Sequence, residues 1–169
     1  MRKLIYTFGM IAAMAMTACS NPREAVIDGE MTAEGWNGKN IELINSVTNE
    51  VISQTRIEDN EFEFRLVPDT PFIATLKIQS EGMDIPYILP VAVEMGRITV
   101  KAGAETLTTG TPLNTRLQQF MVRKSDLALP DTLSLEEYKK EFRAFIEQEI
   151  ENNKDCPALV GFIKKAYLR

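Results

Sequence analysis

Few side chains in this sequence are suited to covalent or metal chemistry. The 169 residues include two cysteines, Cys19 and Cys156, and no histidine. Ser-His-Asp and Cys-His nucleophile pairs are therefore impossible within the chain, as are histidine-ligated metal sites. The cysteines lie 137 positions apart, too far to form a Cys-x-x-Cys redox pair or a cysteine zinc cluster. Cys156 follows Asp155 at the start of an expected helix. Backbone N–H groups there favour its thiolate and the adjacent carboxylate disfavours it, so a small apolar or half-exposed residue is a simpler reading than a redox centre. Trp36, between Gly35 and Gly38 in an expected loop, is the candidate binding residue. It can stack on a sugar or fill a partner's pocket; edge packing is the alternative. Glu58, Asp59, Glu61 and Glu63 are a possible calcium set, but they lack the spacing of a calcium loop and read more simply as a solvated strand face. Glu94 near Gly96 has the residue type for glycoside hydrolysis, but no second acid is placed at a suitable distance. Gly110-Thr111-Pro112 precedes a helix start, an anion site in principle and a simple turn without a glycine-rich phosphate loop. The sequence thus supports no catalytic residue, no metal and no cofactor, and the expected protein is a binding module, not an enzyme.

The N-terminus is more specific. Met1-Arg2-Lys3 is a short basic segment, and Leu4 to Met16 is a 13-residue apolar run. That run is shorter than the ~20 residues a helix needs to span a bilayer and matches the core of an export signal. Met16-Thr17-Ala18-Cys19 follows and resembles the lipobox of bacterial lipoproteins, with Met in place of the commoner Leu. The resemblance implies that residues 1–18 are a signal peptide, that Cys19 is acylated at its thiol and its new N-terminus, and that residues 19–24 form a tether. Several acyl chains hold a protein firmly to a membrane face without a transmembrane helix. Ser20 is not the Asp that retains lipoproteins at an inner membrane, and the tether lacks the acidic run of surface-export signals. The expectation is therefore an outer-membrane anchor facing the periplasm.

Composition agrees with one globular domain behind that anchor: 44% of residues are hydrophobic and 25% charged. The formal charge of −5 becomes −7 once Arg2 and Lys3 leave with the signal, which argues against a nucleic-acid partner.

From Ala25 to about Thr109 the hydrophobic pattern has period two, broken by turn residues every eight to twelve positions. Strands are expected at residues 25–31, 41–45, 53–57, 61–66, 72–78, 87–93, 97–100 and 106–108. Asp59-Asn60 reads as a turn. The prolines of Ile85-Pro86-Tyr87-Ile88-Leu89-Pro90 demote that segment to an edge strand or a bulge. Residues 25–110 are thus expected to form an antiparallel β-sandwich or partly open barrel of about eight strands.

At Gly110 the period changes. Leu113, Leu117, Phe120 and Met121 have helical spacing after Pro112. Ser134-x-x-Glu137 is a capping box opening a helix with the stripe Leu135, Tyr138, Phe142, Phe145, Ile146 and Ile150. Asp155 is the expected cap of a last helix whose inner face is Leu159, Phe162, Ile163, Ala166 and Tyr167. Charge divides with the period: residues 19–110 hold 15 acids and 7 bases, residues 111–169 hold 9 and 10. A near-neutral helical segment over 111–169 is well suited to lie on an acidic sandwich.

Five short motifs recur in order along the chain: Val26-Ile27-Asp28-Gly29-Glu30; Gly38-Lys39-Asn40-Ile41-Glu42-Leu43; Asn60-Glu61-Phe62-Glu63-Phe64; Val93-Glu94-Met95-Gly96-Arg97-Ile98-Thr99-Val100; and Gly110-Thr111-Pro112-Leu113-Asn114. Behind a lipobox, this order resembles the N-terminal domain of unknown function in lipid-anchored, thioredoxin-like thiol-disulfide oxidoreductases of Bacteroidetes. The resemblance covers about residues 25–165. It implies a stand-alone counterpart of that domain, with an envelope protein or a thioredoxin-like protein as partner. The redox work of those proteins belongs to a downstream Cys-x-x-Cys domain, so no catalytic residue of the family carries over. The alternative implied function is an accessory or front part of such an oxidoreductase system.

Overall fold

A computed structural model of the chain describes residues 23–79, 85–127, 130 and 132–168. Eight strands come first: β1 (Ala25–Met31), β2 (Asn40–Asn45), β3 (Val51–Arg56), β4 (Glu61–Leu66), β5 (Phe72–Ile78), β6 (Tyr87–Val93), β7 (Gly96–Ala102) and β8 (Leu107–Thr109). Three helices follow: α1 (Pro112–Ser125), α2 (Leu135–Asn152) and α3 (Pro157–Tyr167). The strands form two four-stranded sheets, ordered β4-β1-β7-β8 and β3-β2-β5-β6. This is the expected sandwich, open rather than closed into a barrel.

Alternation does what it should. Ile27, Phe62, Phe64, Ile98 and Val100 from the first sheet meet Ile41, Leu43, Leu76, Val91 and Val93 from the second in one buried cluster. Gly29 lies opposite Phe62 in the register, and a Cβ there would stand 1.9 Å from the Phe62 ring. The bare glycine is what lets the ring lie flat across β1. Asp59 and Asn60 take φ of 53° and 63°, the paired left-handed residues of a tight hairpin turn closed by Glu58 and Glu61.

One pairing departs from the expected antiparallel pattern. β1 runs parallel to β7, with Ala25 beside Gly96 and Met31 beside Ala102. β6 and β7 belong to different sheets and are joined only by Glu94-Met95, so β7 sets out from the end where β1 also begins. Periodicity reports which face a residue occupies and carries no information about strand direction.

The β6 segment is an edge strand, as its prolines require. Ala92 exposes its N–H and C=O away from β5, and Pro90 shares that parity, so the donor it lacks is on the open edge. The outer face of this second sheet, at Ile73 and Ala92, is covered by the helices. A second buried cluster joins those two residues to Leu113, Leu117, Phe120, Ile146, Leu159, Phe162 and Ile163.

Two helix expectations need correction. Ser134 and Glu137 do form the reciprocal capping box of α2, but its apolar stripe is only partly used. Ile146 is buried and Phe142, Phe145 and Ile150 are half-buried, whereas Leu135 and Tyr138 are 68% and 45% exposed. Spacing marks a helix as amphipathic; it does not guarantee a neighbour along its whole length. Asp155 does not cap α3. The N-cap residue is Cys156, without a side-chain cap hydrogen bond, because Asp155 is engaged by Arg116 from α1.

Candidate functional site

A set of specific contacts lies where β6, β7 and α1 meet. Gly110 has φ of +106°, and a Cβ there would lie 2.2 Å from the Arg97 carbonyl oxygen. Only glycine lets the chain pass so close to β7 and turn into a helix. Thr111 is the N-cap of α1 but supplies no side-chain cap. Glu94 does the job from the β6–β7 link: its Oε1 accepts from the Leu113 N–H at 2.6 Å, a carboxylate at the positive end of the helix. Asn114, fully buried, donates through Nδ2 to the Ala92 carbonyl at 2.8 Å and accepts through Oδ1 from the Ala92 N–H at 2.9 Å. Its amide therefore stands in for a neighbouring strand and closes the β6 edge. The Nδ2 group also donates to Thr111 Oγ1 at 2.8 Å.

The fourth and fifth of the ordered motifs thus converge on one joint. Glu94, weighed above for hydrolysis, is a helix cap, and the candidate anion site at Gly110-Thr111-Pro112 already holds that carboxylate. Asn114 lay within a quoted motif, but nothing in the pattern marks a helical asparagine as the partner of a strand edge. A cleft of about 560 Å³ opens beside the joint, with apolar walls from Pro71, Pro112, Leu113, Pro157 and Ala158. Arg116 and Asp155 form a two-pronged ion pair at its rim, at 2.8 and 2.7 Å. The guanidinium holds the Asp155 carboxyl below the usual carboxylate range, chiefly by hydrogen bonding. Cys156 is half-buried in the same cleft and forms no disulfide among the described residues.

Trp36 lies far from this joint, at the opposite end of the sandwich. It is half-buried against the inter-sheet core, 5.6 Å from the Tyr87 ring at an interplanar angle of 55°, with Lys39 Nζ 4.9 Å from its own ring centroid. Tyr87 in turn accepts a hydrogen bond from the Gly103 N–H. The residue closes that end of the core and leaves an edge exposed beside a cation.

The acidic run lies on the outer face of the first sheet and in the turn before it. Glu63 is gripped by Arg65 through two hydrogen bonds of 2.7 Å, and that bond above all holds its carboxyl below the ordinary range. Asp28, directly opposite Glu63, pairs with Arg97 at 2.6 Å. Asp28, Glu63 and Arg97, together with Arg56, Glu58 and Glu61, line an open concavity of about 550 Å³. Among the described residues, no three metal-ligating side chains converge. Cys19 lies outside the described residues.

No protein-family model matches the chain, and no curated protein matches it in sequence.

Proposed function

We propose that this chain is a lipid-anchored, periplasm-facing module of the cell envelope that binds or scaffolds rather than catalyses. One observation carries the reading: a basic start, a 13-residue apolar run and Thr17-Ala18-Cys19 occur in that order and spacing. Among the described residues no helix is long and apolar enough to cross a membrane, so an acylated Cys19 would be the attachment. In support of a structural role, two of the carboxylates weighed for chemistry, Glu94 and Glu63, are engaged, as is Asp155. Glu94 caps α1, Asp155 holds Arg116, and Glu63 holds Arg65. Trp36, with Lys39 over its ring, is the residue to which a glycan or an envelope protein would dock.

Cell fractionation tests the proposal. The native chain should be found with the membranes and be released only by detergent. A variant in which a cleavable secretion signal replaces residues 1–19 should move into the periplasmic extract; if it stays membrane-bound, the anchor is contradicted. The order of the five motifs favours a second reading, an accessory of a thioredoxin-like oxidoreductase. Sequencing the DNA beyond the codon for Arg169 tests it: a Cys-x-x-Cys domain in frame or in the next gene supports it, and an unrelated gene counts against it.

A further inference from the structure

We infer that the end of the sandwich where β1 begins is a membrane-contact surface that lies against the bilayer holding the anchor. The inference rests on the lipid anchor proposed above and adds an orientation to it. Ala25 is paired with Leu66 on one side and with Gly96 on the other, and the Gly96 N–H donates to the Glu24 carbonyl at 2.9 Å. The chain therefore leaves the domain between two neighbours, each followed or preceded by an exposed apolar residue at that same end. Val67, one step past Leu66, is 60% exposed, and Met95, one step before Gly96, is 57% exposed. The β2–β3 turn opens there too, because Ser46 donates to the Ile73 carbonyl, and it carries Val47 at 45% exposed. The apolar-walled cleft of Pro71, Pro112 and Leu113 adjoins them.

Reach supplies the occupant. Four residue steps separate Cys19 from Arg23, so a fully extended tether spans at most ~14 Å. An acylated Cys19 keeps the β1 end of the domain, with Val67 and Met95, within about that span of the headgroup region, close enough for them to touch it as the domain pivots about the tether. Three part-exposed side chains are too little apolar area to hold a free protein on a membrane. Once the anchor makes the encounter intramolecular, the same area can select an orientation. The seven-residue strands, ~23 Å long, then hold Trp36 and Tyr87 away from the membrane, so the candidate binding end projects outward.

The test uses the chain purified with its own lipid and reconstituted into phosphatidylcholine vesicles with brominated acyl chains. Trp36 is the single tryptophan, so the wild-type chain reports the far end and Met95→Trp adds a reporter at the near end. The wild-type emission should be unchanged by brominated lipid, whereas the variant should lose the added emission. If the acylated variant keeps its full emission, or if Trp36 is quenched as strongly, the orientation is overturned and the anchor stands. A chain that carries no acyl mass overturns both, and its mass spectrum separates that case from the first.

Discussion

The two buried clusters of this protein are fastened by different means. Between the sheets, the buried side chains of the described residues are apolar, from Ile27 and Leu43 to Val100, apart from Thr108 opposite Val100. The buried polar residues Thr108, Thr111, Asn114, Glu149 and Asn153 all belong to β8, the joint after it or the helices. Beside its own buried apolar cluster, the helical layer carries named polar links: Asn114 to Ala92 and Glu94 to the first turn of α1 tie it to the sheet, while Arg123 to Glu149 and Arg116 to Asp155 tie helix to helix. A sandwich closed by burial is tolerant of pH and salt. A layer fastened by hydrogen bonds and ion pairs is position-specific, and each link can be cut singly.

Mutations that cut one cluster and spare the other test the contrast. Leu43→Ala opens a cavity in the fully buried inter-sheet core and should cost about 3–4 kcal/mol in denaturant unfolding. Loss should be global, with sheet and helix signals falling together. Gly110→Ala forces a Cβ against the Arg97 carbonyl at a positive φ and should cost about 3 kcal/mol. Here the loss of helical circular dichroism should precede loss of the strands. Arg123→Ala leaves the Glu149 carboxylate, whose side chain is 4% exposed, without its guanidinium. We expect a cost of about 2–3 kcal/mol, with most of it recovered in Arg123→Ala/Glu149→Leu. A double variant no more stable than the single one would show that packing, not the buried charge, dominates there.

Asn114→Ala strands the N–H and C=O of Ala92 at the β6 edge and should cost about 2 kcal/mol. Faster amide exchange at Ala92, with Leu76 unchanged, would localise the damage. The smallest effect concerns pH. Arg116 lowers the Asp155 carboxyl below its ordinary value, so the link is present above the usual carboxylate range and is lost as pH falls through the lowered value. Both partners are substantially exposed, so the loss should be visible as earlier acid fraying of the α3 start, absent in Asp155→Asn, with little change in global stability.

Much of the fold was legible in the residues, and the reasons for success and failure are physical. Period-two segments such as Glu61–Leu66 and Phe72–Ile78 have one buried face, so side-chain alternation delimits them. The Asp59-Asn60 turn and the Ser134 capping box are local, each written in adjacent residues. The parallel β1–β7 pair is not local and leaves no periodic trace. Arg116 and Asp155 stand 39 positions apart, so nothing near Asp155 reveals that its carboxylate is spoken for and that α3 starts uncapped. Leu135 and Tyr138 fit a buried stripe by spacing and are exposed because, among the described residues, no element packs over the first turns of α2. At the candidate site, glycine at 110 signalled a turn, whereas the strand-mimicking role of Asn114 required the β6 edge to be seen.

Anchoring of the domain depends on Cys19. Its most direct test is the intact mass of the chain expressed in a lipoprotein-processing host, with and without globomycin, an inhibitor of lipoprotein signal cleavage. A lipid-anchored protein gives a chain beginning at Cys19 and carrying acyl mass, replaced under the inhibitor by a form that retains residues 1–18, with no acyl mass in Cys19→Ala. A mature chain cut elsewhere, or one without acyl mass that ignores the inhibitor, would contradict the anchor.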